Sequence, residues 1–420
     1  MRILLLGADG FVGRHIAFRL RAQGHDIVAS ARRPARLAQM GFEILPCDLT
    51  DRTARKPAFW QPHLQNIDAI INAAGLLTGT EATFEAVHIS APNALYAAKP
   101  STCQILLLSA VGIDDSETYF SRFRRSAENL AAAHNALILR AGLILGETSY
   151  GGSSLVRALA ALPVLTPHIG TGDQRFNPIH ADDLADAMID MLTAGRTGTY
   201  DIGGPDRISQ RELTAAYRRW LGLGKTWAIP IPMPVARGMG RIGDAMRLGP
   251  ISRTAVAQLS NGVEADAAPL SASLPRPPRG VHDFLGRRPA GTQDLWHARL
   301  YWMRPLLRIT LAVIWLASAL LGLLLPADAF VPILEGALPD GMLIAMARVG
   351  GAADLVIGLA LLRGWRPRRL AAIQAAMVIV YTTLFTFLSP VLWLLPLGGL
   401  LKNLPLLALI ACLYILEDER

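Results

Sequence analysis

Three glycines at regular spacing, directly after a short apolar run, constrain the fold of this chain most. Residues 3–6 are wholly apolar, which is typical of a central parallel strand buried on both faces. An amphipathic pattern over 14–23 then predicts a helix. A glycine turn between such a strand and helix can hold a pyrophosphate, because the backbone comes close and the helix start offers N–H groups. The predicted cradle consists of Gly7, Asp9, Gly10, Phe11, Val12 and Gly13.

An arginine pair follows the second predicted strand, residues 24–30. In a dinucleotide-binding fold, an acid near the end of this strand binds the ribose hydroxyls of NAD. Arg32 and Arg33 stand there instead, and two guanidinium groups suit a 2′-phosphate. We therefore expect NADP as cofactor, with NAD as the alternative. Arginines that are merely solvated at a helix start are the structural alternative.

Further apolar runs, separated mostly by helical patterns, predict four more strands. This alternation predicts an α/β fold with a doubly wound parallel sheet of the Rossmann type. The runs are 42–50, 67–75, 104–110 and 135–140. Small or acidic residues at the strand ends would let a dinucleotide lie across the sheet. The cofactor contacts predicted there are Asp48, Leu49, Ala73, Ala74 and Gly75.

Apolar residues are concentrated after residue 305. A helix of roughly 20 residues crosses about 30 Å of hydrocarbon, so the second half predicts an all-α, four-helix transmembrane domain. The apolar segments are 309–325, 342–362, 370–388 and 391–416. Aromatic residues mixed with arginines at 294–304 suit a membrane interface, with a partner-binding helix as the alternative. In the last segment, we expect 391–396 at the interface and the crossing from about Leu397.

Charges flank the predicted spans unevenly. Arg304 and Arg308 precede the first span, and four arginines lie between the second and third. The loop between the first and second spans contains acids but no Lys or Arg; these acids are Asp328, Glu335 and Asp340. The positive-inside rule then predicts a multi-pass protein of the inner (cytoplasmic) membrane, with the N-terminal domain and the C-terminus in the cytoplasm.

Charge and cysteine content exclude other classes. The net charge is +8, but no lysine-rich patch with interleaved aromatics occurs, so we expect no nucleic-acid partner. The three cysteines lie far apart in sequence, at Cys47, Cys103 and Cys412. They indicate neither a disulfide framework nor a metal site, and they favour a reducing compartment.

Taken together, these motifs resemble the extended and atypical short-chain dehydrogenase/reductase family. The motifs are the glycine turn, Asp48-Leu49, Asn72–Gly75, 139–146 and 176–185. The resemblance is closest to the NAD-dependent epimerase/dehydratase-like and NmrA-like branches, which include the nucleotide-binding accessory subunit of respiratory complex I. It implies an NAD(P)-binding domain over 1–260, with a substrate lobe from about 147. Residues 261–304 are then predicted as a linker and interfacial segment.

The membrane half, 305–420, resembles the DoxX-like four-helix membrane family. The residues that carry this resemblance are 354–358 and 396–405. Ionisable side chains within apolar spans are costly in lipid and are therefore functional candidates. The candidates are Arg348, Asp354 and Lys402. Structural pairing of Asp354 with either cation is one interpretation, and a proton path or a quinone-head site is the other.

One motif of the dehydrogenase resemblance is degenerate. Active members of the family carry Tyr-x-x-x-Lys on the helix after the fifth strand, where the lysine lowers the tyrosine pKa for proton transfer. Here Tyr119 is followed four residues later by Phe123, while counting back from Glu128 puts Arg124 in the lysine position. Either Tyr119 still works with Arg124, or the acid–base pair is lost. Ser109 holds the usual serine position, as a catalytic residue or as a strand-end hydroxyl.

Two functions compete at this point. The first is a membrane-anchored, NADP-binding oxidoreductase that acts on an apolar or membrane-borne substrate such as a quinone or lipid. The second is a non-catalytic NADPH-binding scaffold or redox sensor for a membrane complex. A small transporter gated by the nucleotide-binding domain is a third hypothesis.

Overall fold

A computed structural model describes residues 1–115, 117–248, 251, 253–331 and 338–418. It divides into two compact units. The first comprises Met1–Asp244 and Gly249–Ala298, and the second comprises Ala245–Leu248 and Arg299–Arg420. Glu335, which the predicted topology used, lies outside the described residues.

The first unit is built on a parallel sheet of seven strands, as far as the described residues show, in the order β11-β6-β5-β4-β1-β2-β3. This confirms the predicted Rossmann-type fold. The strands are β1 (Arg2–Leu6), β2 (Asp26–Ala31), β3 (Glu43–Pro46), β4 (Ala69–Asn72), β5 (Gln104–Ala110), β6 (Leu137–Ala141) and β11 (Gly198–Ile202). All neighbours pair in parallel.

Helices cover both faces of this sheet. They are α1 (Phe11–Ala22), α2 (Ala35–Gln39), α3 (Pro57–Trp60), α4 (Glu81–Glu85), α5 (Ala91–Ala98), α6 (Tyr119–Ala133) and α8 (Ala181–Thr193). Alternate residues of β1 face opposite layers, with Ile3 in the core that holds α1 and α8 and Leu4 in the core that holds α3 and α5. Burial on both faces explains why the first run is wholly apolar.

A second lobe follows β6. It contains the short strands β7 (Ile144–Leu145), β8 (Leu165–Ile169), β9 (Arg175–Phe176), β10 (Ile179–His180), β12 (Ile208–Ser209) and β13 (Trp227–Ile231). Its helices are α7 (Gly152–Ala160), α9 (Gln210–Trp220), α10 (Met233–Met246) and α11 (Arg253–Asn261). A capping box between Ser209 and Glu212 is present where α9 begins.

Residues 265–290, which are part of the stretch predicted as a linker and interfacial segment, are instead folded into the first unit. They include two short helices, α12 (Ala268–Ser271) and α13 (Val281–Gly286). The side-chain amide of Asn177 bonds the backbone of Ala265 through both its nitrogen and its oxygen, at 2.8 Å each. Val281 and Phe284 are buried against α7 and α9. The prolines and alanines of residues 265–290 are therefore part of a packed surface segment and not of a linker.

The second unit contains four helices long and apolar enough to cross a membrane, counted over the described residues. They are α14 (Thr292–Leu324), which belongs to this unit from Arg299, α15 (Asp340–Leu362), α16 (Pro367–Leu388) and the span Gly398–Leu416, which contains α17 (Asn403–Leu416). This agrees with the predicted four-helix domain. The stretch 294–304, predicted as a separate interfacial segment, is continuous with the first span in α14. Pro305 lies inside that helix without ending it.

A close backbone approach between Gly13 and Gly7 supplies a test of the fold. A Cβ atom added to Gly13 would lie 2.1 Å from the carbonyl oxygen of Gly7. We expect Gly13→Ala to destabilise the unit by about 1–3 kcal/mol, since α1 must move away from β1. Thermal unfolding of the full chain in detergent would measure this as a lower melting temperature.

Gly238→Ala is the matched control, because a Cβ atom there meets no atom within 4 Å. Gly238 lies inside α10, where alanine favours the helix, so its melting temperature should stay equal or rise. A Gly13→Ala variant with the same melting temperature as the wild type would contradict the packing argument.

Candidate functional site

The glycine turn has the geometry of a phosphate cradle. Gly7 has φ +75° and donates its N–H to the carbonyl oxygen of Ser30 at 3.1 Å. A Cβ atom on Gly7 would lie 2.8 Å from Cα of Ala74, so only glycine fits there. Helix α1 begins after Gly10 without a side-chain cap and without an acid in its first turn. Its N-terminus is therefore suited to an anion.

The predicted tail after β4 lies against this turn. Asn72 is buried; its amide nitrogen donates to the hydroxyl of Tyr96 at 2.9 Å, and its oxygen accepts from the N–H of Ala74 at 3.2 Å. These bonds fix Ala73 and Ala74 beside Gly7, which brings together cofactor positions predicted from separate parts of the sequence.

The predicted residues after β2 and β3 lie at the same carboxyl edge of the sheet. Arg32 and Arg33 are exposed directly after β2, and neither guanidinium has a hydrogen bond or ion pair among the described residues. Asp48 is half-buried, and its Oδ1 accepts from the N–H and the hydroxyl of Thr50 at 2.9 and 2.7 Å. Leu49 is buried.

The other predicted residues of the glycine turn, Asp9, Phe11 and Val12, are half-buried.

Tyr119 and Arg124 lie on different faces of helix α6. Five residues at about 100° each place these side chains some 140° apart around a helix, whereas Phe120 and Arg124 share a face. The side chains follow this rule: Tyr119 is 47% exposed, while Arg124 is buried and lies 5.7 Å from the ring centre of Phe120. Tyr119 instead lies beneath the guanidinium of Arg122. A phenyl ring thus occupies the position that a tyrosine would need to act with Arg124.

Arg124 itself is directed into the cofactor edge. It is 8% exposed, and its Nη1 donates to the carbonyl oxygen of Leu108 at 2.7 Å. Its Nη2 lies 2.1 Å from the place that a Cβ atom of Gly75 would take. Burial lowers the pKa of Arg124 to about 10, so the guanidinium keeps its charge at neutral pH. A buried cation beside the predicted cofactor tail can bind the anionic or hydroxyl oxygens of a dinucleotide.

Ser109, the third predicted catalytic residue, lies at the end of β5 on the same edge. It is 4% exposed, and its Oγ has no hydrogen-bond partner within the described residues. Glu128 is the residue from which the positions of the Tyr-x-x-x-Lys motif were counted back. It forms an ion pair with Arg140 at 2.6 Å and therefore has a structural role. The structure therefore brings Ser109 and Arg124 to the cofactor edge and leaves Tyr119 on an exposed face of α6.

His88 is a site neighbour that the sequence did not single out. It lies in a π-helical turn, Ala86–Ser90, and its ring stacks on Phe84 with centroids 5.6 Å apart. Burial, and then the charge of Arg124, lowers its pKa to about 2. The imidazole is therefore neutral beside the buried cation. A π-helical turn depends on local packing and leaves no sequence signal; such turns are frequent at functional sites.

A small cavity in the second lobe adjoins the cofactor turn. His15 of α1 contacts Thr148, with Nε2 and Oγ1 3.0 Å apart, and thereby joins α1 to the segment after Gly146. That segment forms one wall. The cavity is lined by Gly146, Glu147, Arg157, His180, Tyr217, Trp220, Phe284, Leu285 and Arg288. It lies where the sequence predicted the substrate lobe to begin, at about 147.

Two arginines of this cavity, which sequence reasoning missed, enclose an indole ring. The guanidinium carbons of Arg157 and Arg288 lie 5.5 and 5.1 Å from the ring centre of Trp220. Arg288 also binds Asp294 at 2.7 Å and Glu147, and the bond to Asp294 raises the pKa of Arg288. The cavity thus combines aromatic walls with cationic side chains, which suits an oxygen-bearing group on an otherwise apolar molecule.

Comparisons with known proteins agree with both halves of this description. Residues 3–97 match the NAD dependent epimerase/dehydratase family, and residues 312–411 match the DoxX-like family. The chain therefore joins an NAD(P)-binding domain of the epimerase and short-chain dehydrogenase type to a DoxX-like domain with four apolar helices.

The relatives match a little over half of the chain. A mitochondrial NADH dehydrogenase [ubiquinone] 1 alpha subcomplex subunit 9 from Arabidopsis thaliana is 26% identical over 58% of this chain and 63% of its own length. A (4-alkanoyl-5-oxo-2,5-dihydrofuran-3-yl)methyl phosphate reductase from Streptomyces griseus is 29% identical over 52% of this chain and 74% of its own. The chain spans only 25% of the length of the mycobacterial relatives that it matches.

A solved structure supports the fold alone. The structure of MoeE5 in complex with UDP-glucose and NAD is 18% identical, with a TM-score of 0.50, and the match covers 73% of this chain and all of that chain. For our chain this likeness confirms the Rossmann architecture. It does not distinguish NADP from NAD.

The neutral His88 predicts an acid-sensitive first unit. Above its ordinary pKa of 6.5, the imidazole is neutral in both the folded and the unfolded state. As the pH falls below 6.5, only the unfolded chain takes up the proton, so stability is lost at up to about 1.4 kcal/mol per pH unit. Between about pH 7.5 and about pH 5.5, the melting temperature of the His88→Leu variant should fall less than the melting temperature of the wild type.

His282→Leu is the control, since His282 is exposed and should leave the pH dependence as in the wild type. Differential scanning calorimetry of the full chain in detergent measures the melting temperatures for both comparisons. An identical pH response in His88→Leu and the wild type would show that the buried imidazole does not govern acid sensitivity.

Proposed function

We propose that the protein is a membrane-anchored NAD(P)H-dependent oxidoreductase that acts on an apolar, membrane-borne substrate such as a quinone or a lipid. The observation that carries this proposal is the fusion of a dinucleotide cradle to four apolar helices in one chain. Attachment to a bilayer benefits an enzyme whose substrate or partner is in the bilayer. The Streptomyces griseus reductase among the relatives supports a redox function.

The side chains of the site define how such a reaction would proceed. The bound dinucleotide would supply a hydride. The glycine turn and the start of α1 would hold its pyrophosphate, and the Arg124 guanidinium beside Gly75 would bind further oxygens of the dinucleotide. Tyr119 is exposed and shares no helix face with Arg124, so we assign it no proton transfer. An acceptor that takes its proton from water, as a quinone can, fits this arrangement.

We extend the proposal to cofactor and orientation. Arg32 and Arg33 lie exposed and unbonded, among the described residues, at the end of β2, where a 2′-phosphate would be held, and this favours NADP. The arginine-rich flanks of the apolar helices favour both termini in the cytoplasm and a place in the inner membrane.

A second candidate is nucleotide binding without turnover, as a scaffold or redox sensor in a membrane complex. Phe120 in the tyrosine position and Arg124 in the lysine position favour it, because the usual acid–base pair is missing while cofactor-binding groups remain. The relative from the plant respiratory enzyme is by name a subunit of a larger assembly.

An acceptor panel separates the two candidates. Full-length protein in detergent should consume NADPH in the presence of at least one lipid-soluble quinone or lipid aldehyde. We expect Tyr119→Phe to retain this rate, since removing a true general acid costs about 100-fold or more. Arg124→Gln should weaken NADPH binding, measured by fluorescence titration.

Other outcomes of the panel point elsewhere. Tight NADPH binding without turnover on any acceptor, together with native co-purification of membrane proteins, would support the scaffold. In that case the double variant Phe120→Tyr/Arg124→Lys, which rebuilds the dyad, should gain activity. A loss of about 100-fold or more in Tyr119→Phe would contradict our reading of α6.

The NADP preference has its own test. Charge-assisted hydrogen bonds contribute about 1.5–3 kcal/mol, so the double variant Arg32→Ala/Arg33→Ala should bind NADPH about 10- to 100-fold more weakly. NADH binding should change by less than about twofold, since NADH carries no 2′-phosphate. Isothermal titration calorimetry with NADPH and with NADH measures both affinities and therefore their ratio.

Arg2→Ala provides a control that removes an arginine from another part of the sheet. Arg2 pairs with Glu43 at the start of β1, on the opposite edge of the sheet. Its removal should leave both affinities unchanged. Equal weakening of NADPH and NADH in the double variant would argue against a 2′-phosphate site.

A further inference from the structure

The second unit contains a buried carboxyl group that has no cation beside it among the described residues. Asp354, in α15, is 5% exposed. Its Oδ2 accepts a hydrogen bond from the hydroxyl of Ser318 in α14 at 2.6 Å. Its Oδ1 is buried and has no hydrogen-bond partner among the described residues. Ionisable groups at such a position are rare and expensive, and they commonly have a function.

The nearby cation does not compensate Asp354. Arg348 lies on the same helix but is six residues away, about 120° around the axis. Its guanidinium instead donates to the carbonyl oxygens of Gly322 and Leu325, at 2.8 Å each. Within the described part of the chain, neither Arg348 nor Lys402 forms an ion pair with Asp354. The predicted structural pairing is therefore not what the geometry shows.

The neighbouring helices present neutral groups. On α14 these are Ser318 and Trp315, whose indole donates to Oε1 of Gln374 in α16 at 2.7 Å. Gln374 is fully buried, and its Nε2 has no partner within the described residues. Also on α16, the hydroxyl of Tyr381 lies 3.7 Å from where a Cβ atom of Gly350 would be, one turn before Asp354.

Glycines close the site against bulky groups. A Cβ atom on Gly351 would lie 3.0 Å from the backbone of Gly322, and one on Gly358 would lie 2.7 Å from Leu316. Helices α14 and α15 therefore pack closely on both sides of Asp354. An anion held there would have one neutral hydroxyl as its partner, which is far too little to replace hydration.

We propose that Asp354 is a proton-binding site within the membrane. The carboxylate takes a proton from hydronium at Oδ1, which releases water and leaves a neutral carboxyl group at this position, while Oδ2 keeps the bond from Ser318. The reverse step returns the proton to water. A metal cation is a poorer occupant, because such ions need several oxygen ligands and Ser318 is the one oxygen seen bonded to this carboxyl among the described residues. This inference is independent of the redox function.

A carbodiimide can test the protonation state directly. N,N′-dicyclohexylcarbodiimide is apolar and reacts with protonated carboxyl groups to give a stable acylurea. We expect full-length protein in liposomes to acquire this adduct on Asp354 at neutral pH, shown by peptide mass spectrometry. Raising the pH should reduce the labelling, because the reagent needs the bound proton. Adding Na⁺ at constant pH should not.

Variants make the result specific. Asp354→Asn should lose the adduct, and Asp340→Asn, which changes an exposed carboxyl at the start of the same helix, should keep it. If Asp354→Asn does not fold, Asp354→Glu and Ser318→Ala retain a carboxyl group and should still be labelled. Absence of the adduct on Asp354 in the wild type would overturn the proposal. Protection by Na⁺ at constant pH would also overturn it, in favour of a metal-cation site.

Discussion

The contact between β1, α1 and the tail after β4 is the constraint on which the cofactor edge depends. A side chain at Gly7 would lie 2.8 Å from the backbone of Ala74, and one at Gly13 would lie 2.1 Å from the backbone of Gly7, so either would force the elements apart. The contact aligns the N-terminus of α1 with the ends of β1 and β4. It also places His15 on the side of α1 that meets the second lobe. The phosphate cradle, the tail at Ala73–Ala74 and the cavity are thus set by one close packing arrangement.

The register of α6 decides how this edge is used. A shift by one residue moves a side chain about 100° around a helix, so Tyr119 and Phe120 point to different surroundings. The buried face receives Phe120 and Arg124, which pack together beside the cofactor edge, and the exposed face receives Tyr119. The same edge therefore has Arg124 beside Gly75, and Phe120 instead of Tyr119 lies on the helix face that contains Arg124. This is why our proposal assigns hydride chemistry without a tyrosine acid.

The sheet and the apolar helices could be predicted because their signals are local. Residues 3–6 are apolar since both faces of β1 are covered, and apolar spans of about 20 residues have few other structural solutions. The fold of 265–290 could not be predicted, because it depends on Asn177, which is distant in sequence and bonds Ala265 at both amide atoms. His88 was missed for a similar reason: its neutral state arises from burial and from Arg124. The continuity of α14 through Pro305 also escaped sequence reasoning, since proline usually predicts a break.

The position of the Arg124 guanidinium has an evolutionary consequence. Its Nη2 occupies the space of a side chain at position 75, so the glycine and the arginine depend on each other. A chain that gains even an alanine at 75 must withdraw the guanidinium from the edge of the sheet. A chain that exchanges the arginine for a smaller residue is released from the need for glycine. Among descendants of this sequence, positions 75 and 124 should therefore change together, and the pair would mark those that retain a buried cation at the cofactor edge.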